Sequence, residues 1–203
     1  MSRNADIIDL LAGIEPGSPL AALRDARAQA REHAQRSFEA LLEPTEPGSF
    51  PVGERYAVAS FTAALHQDEP AAAFYRDLLE DEQPDLVPVI TKAAETARGT
   101  GPYGNYREPG LADESEPGPA WTADAETAAA LGDRLAAALA HTHLLVFRPR
   151  ESSPAALQAL ADAGWNADDV VRLSQLVAFL SFQLRTATAL RVLQAANSEG
   201  AIR

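Results

Sequence analysis

Residues 164–197, GWNADDVVRLSQLVAFLSFQLRTATALRVLQAAN, form the longest apolar-periodic run in the chain and constrain most of what it can fold into. Val170, Leu173, Val177, Leu180, Leu184, Ala187 and Leu190 recur at spacings of three and four, which is one stripe of an α-helix. Asn166 suits the N-cap, and Asp169 three residues on favours the positive end of the helix dipole. Leu176, Phe179 and Val192 widen the stripe until the middle of the helix is apolar nearly all round. Such a helix belongs inside a bundle or between subunits.

The rest of the chain reads as shorter helices separated by Pro and Gly. Residues 6–14 predict a short amphipathic helix stopped by Glu15-Pro16-Gly17. Ser18-Pro19 pairs an N-cap with Pro at the first helical position, opening a helix that runs to Leu41. Residues 52–66, 71–79 and 84–98 predict three more, with Pro88 tolerable only in a first turn. Thr122 is the expected cap of the next helix; residues 141–147 either finish it or extend briefly. Ser153-Pro154 opens a short helix with Gly164 as its C′ residue. The expectation is an all-α bundle of seven or eight helices in one domain, with residues 1–50 as an N-terminal helical extension. Residues 99–120, GTGPYGNYREPGLADESEPGPA, have no period of either kind. They read as an exposed insertion, or as a lid or subunit arm anchored by Tyr103 and Tyr106.

Composition narrows the function classes. At 203 residues, 46% hydrophobic and 23% charged, the chain suits one globular domain with a real core. A net charge of −12 leaves no basic patch for nucleic acid and disfavours an anionic membrane surface. The absence of cysteine removes disulfides, thiolate metal sites and thiol nucleophiles. The N-terminal apolar run is too short and too acidic for a signal peptide, and no stretch approaches ~20 consecutive apolar residues. The expectation is a cytoplasmic protein without nucleic-acid or membrane partners.

Glu54, His66, Asp68, Glu69 and Tyr75 form the one cluster suited to acid–base work. On an unbroken helix Glu54 and His66 lie ~18 Å apart, so they meet only if the chain folds back or a second subunit supplies one of them. Asp68 and Glu69 double as capping and first-turn residues around Pro70. His141 and His143 share a face only on a strand, and with no third ligand at helical spacing neither a metal nor a cofactor is expected. Gln175 and Gln183, eight apart with Phe179 between, are expected on one face of the last helix. There they form a polar seam to other helices, or line a pocket with Arg185, which is suited to holding a carboxylate.

Two segments carry a family resemblance. Ala163-Gly164-Trp165, Asp168-Asp169-Val170-Val171 and LSQLVAFLSFQLR (173–185) resemble the end of the alkylhydroperoxidase D-like members of the carboxymuconolactone decarboxylase superfamily. FPVGERYAVASFTAALHQDEPAAAFYRDLL (50–79) is similar to their catalytic helix pair, which reads Arg-Glu, small and apolar residues, Asn-Gly-Cys-x-x-Cys, then His. The likeness spans residues 52–193 without the insertion. It implies an alkylhydroperoxidase D-like bundle whose active site corresponds to a pocket lined by Gln175, Gln183 and Arg185. The family's catalytic Glu, two Cys and His fall on Tyr56, Asp68, Ala71 and Tyr75 in one register. A register two residues back puts Glu54, His66, Glu69 and Ala73 there. Neither contains a thiol, so thiol-based peroxide reduction is excluded. The expected function is a cysteine-free relative that binds a small carboxylate or lactone, with non-thiol acid–base chemistry by Glu54, His66, Asp68 and Tyr75. The alternative is a non-catalytic partner of a cysteine-bearing paralogue. The apolar surface of the last helix implies a homo-oligomer.

Overall fold

The computed structural model describes residues 6–200, and among them the chain is all-α. The helices are α1 (Ile7–Ala12), α2 (Pro19–Asp25), α3 (Ala28–Leu42), α4 (Val52–Leu65), α5 (Glu69–Glu82), α6 (Val87–Thr96), α7 (Ala125–Phe147), α8 (Pro154–Asp162) and α9 (Ala167–Gly200). The extra helix arises because the segment from Pro19 to Leu42 breaks at Arg27, whose φ of −116° and ψ of 47° are not helical. No Gly or Pro marks that break. Most starts follow their caps: Ser18, Asp68, Ser153 and Asn166 each accept a backbone N–H of the first turn. The expected cap Thr122 is displaced by Asp124, whose carboxylate accepts from Thr127 N at 2.7 Å. Pro88 lies in the first turn of α6, after a 3₁₀ turn over Pro84–Leu86. Gly132, with φ +75° and ψ 158°, puts a kink inside α7. Residues 141–147 finish α7 as helix, so His141 and His143 do not share a face.

The most enclosed helix is α4 rather than α9. Ala57, Val58, Ala59, Phe61 and Ala63 are fully buried, because α3, α5, α6, α7 and α9 all pack on it. Its alanines let those neighbours approach on every side. The stripe of α9 docks on α4, α1, α3 and α7, with Leu173, Val177, Leu180, Leu184 and Ala187 buried. Its opposite face is open: Val171, Phe182, Val192 and Leu193 are exposed. The core helix is thus apolar on one side and half-apolar on the other, not buried all round. Its span Ala167–Asn197 is long enough for a membrane crossing and contains an 18-residue window of mean hydropathy 1.3, the one such helix among the described residues. No consecutive apolar run signals this, because the polar residues are interspersed along the span.

Residues 99–120 are docked on the end of α7. Tyr103 N donates to Phe147 O at 2.5 Å, and Gly104 and Glu116 pair in an isolated antiparallel bridge. The Tyr103 ring lies so close over Gly118 that a Cβ there would sit 2.0 Å from the ring. Arg150 stacks on the Tyr106 ring at 3.9 Å. Both tyrosines therefore anchor the segment, against this chain's own helix end.

Candidate functional site

The expected site residues fall into four separate networks. Glu54 stands at the start of α4 and receives the Arg134 guanidinium, Nε to both carboxylate oxygens at 3.1 and 3.2 Å. The same guanidinium donates to Gly164 O (2.8 Å) and Ser49 O (2.7 Å) and lies 4.0 Å above the Trp165 ring. Asp169, fully buried beside it, accepts from Ser49 Oγ at 2.5 Å and from Arg172 at 3.0 Å. Burial pushes the Glu54 carboxyl above its ordinary range, and Arg134 offsets only part of that. Burial opposes the Asp169 charge too, but Ser49, Arg172 and Arg134 outweigh it and hold this carboxyl low.

His66 is the C-cap of α4, at the far end of the same unbroken helix as Glu54, so the two do not converge. Its Nε2 lies 3.2 Å from Ser181 Oγ on α9, where Arg185 is one turn further on. Burial, reinforced by the Arg185 charge, lowers the imidazole to about 4. Asp68 caps α5, accepts from Thr188 Oγ1 at 2.8 Å and pairs with Arg191, which also donates to Leu11 O at 2.7 Å. Tyr75 is fully buried and donates its hydroxyl to Gln183 Oε1; burial raises that phenol far above its ordinary range. Gln175 and Gln183 do not share a face. Eight residues at 100° each leave an 80° offset, so Gln183 is buried while Gln175 is exposed, as is Arg185.

A different place has the geometry of a ligand site. Between α7, α8 and residues 120–122 lies a cavity of about 220 Å³, walled by Trp121, Leu144, Leu160 and five alanines, with His141, His143 and Arg148 among its lining. Trp121 is fixed by its Nε1–H donating to Thr96 Oγ1 at 2.9 Å and by packing on Phe61. His143 stands between Trp121 (6.1 Å) and Phe147 (5.0 Å), and burial lowers its imidazole to about 4. His141 Nε2 is 3.3 Å from Ser174 Oγ, while its Nδ1 is buried without a protein partner. Arg148 pairs through Nη2 with Glu151, and its Nε is likewise buried and unpartnered. Both atoms are closed off from a water-sized probe, so what the cavity itself offers a ligand is its apolar wall and the remaining nitrogens of the Arg148 guanidinium.

No family model, curated protein or solved structure gives a significant match to this chain.

Sequence reasoning found His141 and His143 as a pair but tied their use to a metal. Among the described residues no group of three or more His, Asp or Glu is placed to hold one. Arg148 and Trp121 were missed. Their only signal is the spacing of seven between His141 and Arg148, which puts both on one side of α7.

The two low histidines make a pH prediction. A neutral buried imidazole with a folded value near 4, against about 6.5 when unfolded, contributes stability that is complete above 6.5. That stability falls as the pH drops towards 4, because only the unfolded chain takes up the proton. Urea midpoints measured from pH 7.5 to 4 are expected to decline over this window. His66→Gln is expected to flatten part of the decline, and an unchanged slope would contradict the assignment to His66.

Proposed function

We propose that this chain is a small-molecule binding protein, a cysteine-free relative of the alkylhydroperoxidase D-like proteins, that takes a small carboxylic acid into the cavity between α7 and α8. The observation that carries the reading is a cavity of about 220 Å³ with a mostly apolar lining that includes the Arg148 cation. A carboxylate accepts a charge-assisted bond from Arg148, and its apolar body covers Trp121 and Leu160. Acid–base chemistry by Glu54, Asp68 or Tyr75 is not favoured, because each is committed to a neighbouring side chain inside the bundle.

The test is a thermal-shift series of the purified protein with aromatic and alicyclic acids and the matching lactones. A ligand at a hundred times its Kd adds about 2.7 kcal/mol to the native state. For a chain of this size that raises the Tm by roughly 5–10 °C. An acid is expected to produce such a rise and Arg148→Gln to abolish it.

A second reading rests on the open face of α9, where Phe182 (52% exposed), Val192 (66%) and Leu193 (40%) lie uncovered. No Asp or Glu occurs from Val170 to Ser198 in a chain of net charge −12. That face suits association with a second copy or a paralogue. Silence across the acid panel, together with sedimentation as a dimer, favours this reading over the first.

A further inference from the structure

We propose that a second cavity, between α4, α5 and α6, binds a small free amino acid with a short polar side chain. The charged groups of the zwitterion meet Arg76, Arg98, Glu69 and Glu95 at the mouth, and its side chain meets the Ser60 hydroxyl on the floor. This site is separate from the acid-binding cavity, and its test is independent of that reading.

The floor follows from burial. Ser60 of α4 is 8% exposed and lines a cavity of about 170 Å³, together with the buried Ile90 and Ala94 of α6. Hydroxyls inside helices often return their proton to the carbonyl four residues back. Thr62 does so to Val58 O at 2.7 Å, and Thr91 to Val87 O at 2.8 Å. The Ser60 hydroxyl makes no such bond and has no other partner among the described residues. Unlike His141 Nδ1 and Arg148 Nε, its oxygen is not closed off, so a molecule in the cavity reaches it. A hydroxyl both donates and accepts, which suits a short polar side chain.

The mouth carries both signs of charge. Glu69 and Arg76 of α5 line the cavity with Glu95 of α6 and Arg98 just beyond it, and all four are exposed. Arg76 has Glu80 four residues on and Arg98 has Glu95 three residues back, spacings at which helix charges pair. Yet among the described residues neither arginine has an ion-pair or hydrogen-bond partner, and neither do the Glu69 and Glu95 carboxylates. Two uncommitted guanidiniums offer donors to a carboxylate, and two uncommitted carboxylates offer acceptors to an ammonium. A simple acid would meet repulsion from the glutamates, and a simple amine from the arginines. A free amino acid carries both groups on one carbon. The volume lies below the roughly 300–1,000 Å³ of drug-sized sites, which keeps the occupant small.

The experiment is isothermal titration of the full chain with L-serine, L-alanine, 3-hydroxypropanoate (serine without its ammonium) and 2-aminoethanol (serine without its carboxylate). L-serine is expected to bind saturably, with each of the two charge-deleted analogues ~10- to 100-fold weaker. L-alanine is expected to bind ~10-fold more weakly than L-serine, because it leaves the Ser60 hydroxyl unpaired. In Ser60→Ala that ratio is expected to fall to near one, and in Arg76→Gln combined with Arg98→Gln serine binding is expected to be lost. No binding of L-serine, or binding that survives the double variant, overturns the site. A match between 3-hydroxypropanoate and L-serine overturns the zwitterion and marks a plain anion site. A serine preference that survives Ser60→Ala overturns the role of the floor hydroxyl.

Discussion

Arg134→Ala is expected to destabilise the fold by about 3 kcal/mol, enough to lower the Tm by roughly 6–12 °C. One guanidinium joins Glu54 on α4, Ser49 in the preceding loop, Gly164 before α9 and the Trp165 ring, and stands 3.6 Å from Asp169. Removing it leaves Glu54, only 18% exposed, without its paired cation, whereas Asp169 keeps Arg172 and Ser49. The cost is therefore that of uncompensated charge, well above the ~1 kcal/mol of a surface pair. The pH dependence identifies the cause. Burial already raises the Glu54 carboxyl, and losing Arg134 raises it further. Protonation then relieves the variant more than the native protein, so the deficit should shrink as the pH falls through the Glu54 range. Urea titrations of both proteins at pH 7 and pH 5 measure this; a deficit independent of pH would contradict it.

Asp68→Ala is expected to cost about as much, ~3 kcal/mol, through two separable losses. One carboxylate oxygen caps α5 through Ala71 N, and the other takes Thr188 and Arg191 from α9. Arg191 in turn holds the Leu11 carbonyl, so the same residue ties α1, α5 and α9 together. Asp68→Asn keeps the cap and gives up the charge, and should recover about 1 kcal/mol of the loss. Equal effects of Ala and Asn would show that the cap contributes nothing.

Much of the fold was legible because helix starts and stripes are local properties. The stripe of α9 and the caps at Ser18, Asp68, Ser153 and Asn166 all stand where their side chains can act on the next turn. The break at Arg27 has no local mark, and Thr122 and Asp124 compete as caps with similar chemistry. The central position of α4 was hidden because an alanine-rich helix has little amphipathic contrast to reveal how many neighbours it has. The site was less legible still. Candidate acids and bases were chosen for their side-chain chemistry, yet Glu54, Asp68 and Tyr75 spend that chemistry on Arg134, Arg191 and Gln183. Those partners lie 80 to 123 residues away in sequence. Gln175 was placed with Gln183 by counting turns, but an 80° remainder separates a buried position from an exposed one. The cavity depends on α8 and Trp121 meeting α7, which no spacing within one segment announces.

The most direct measurement is isothermal titration of the full chain with 3-phenylpropanoate, on the native protein and on Arg148→Gln. The account predicts saturable binding to the native protein that Arg148→Gln abolishes. No binding to the native protein, or equal binding to Arg148→Gln, would contradict the cavity as an acid-binding site.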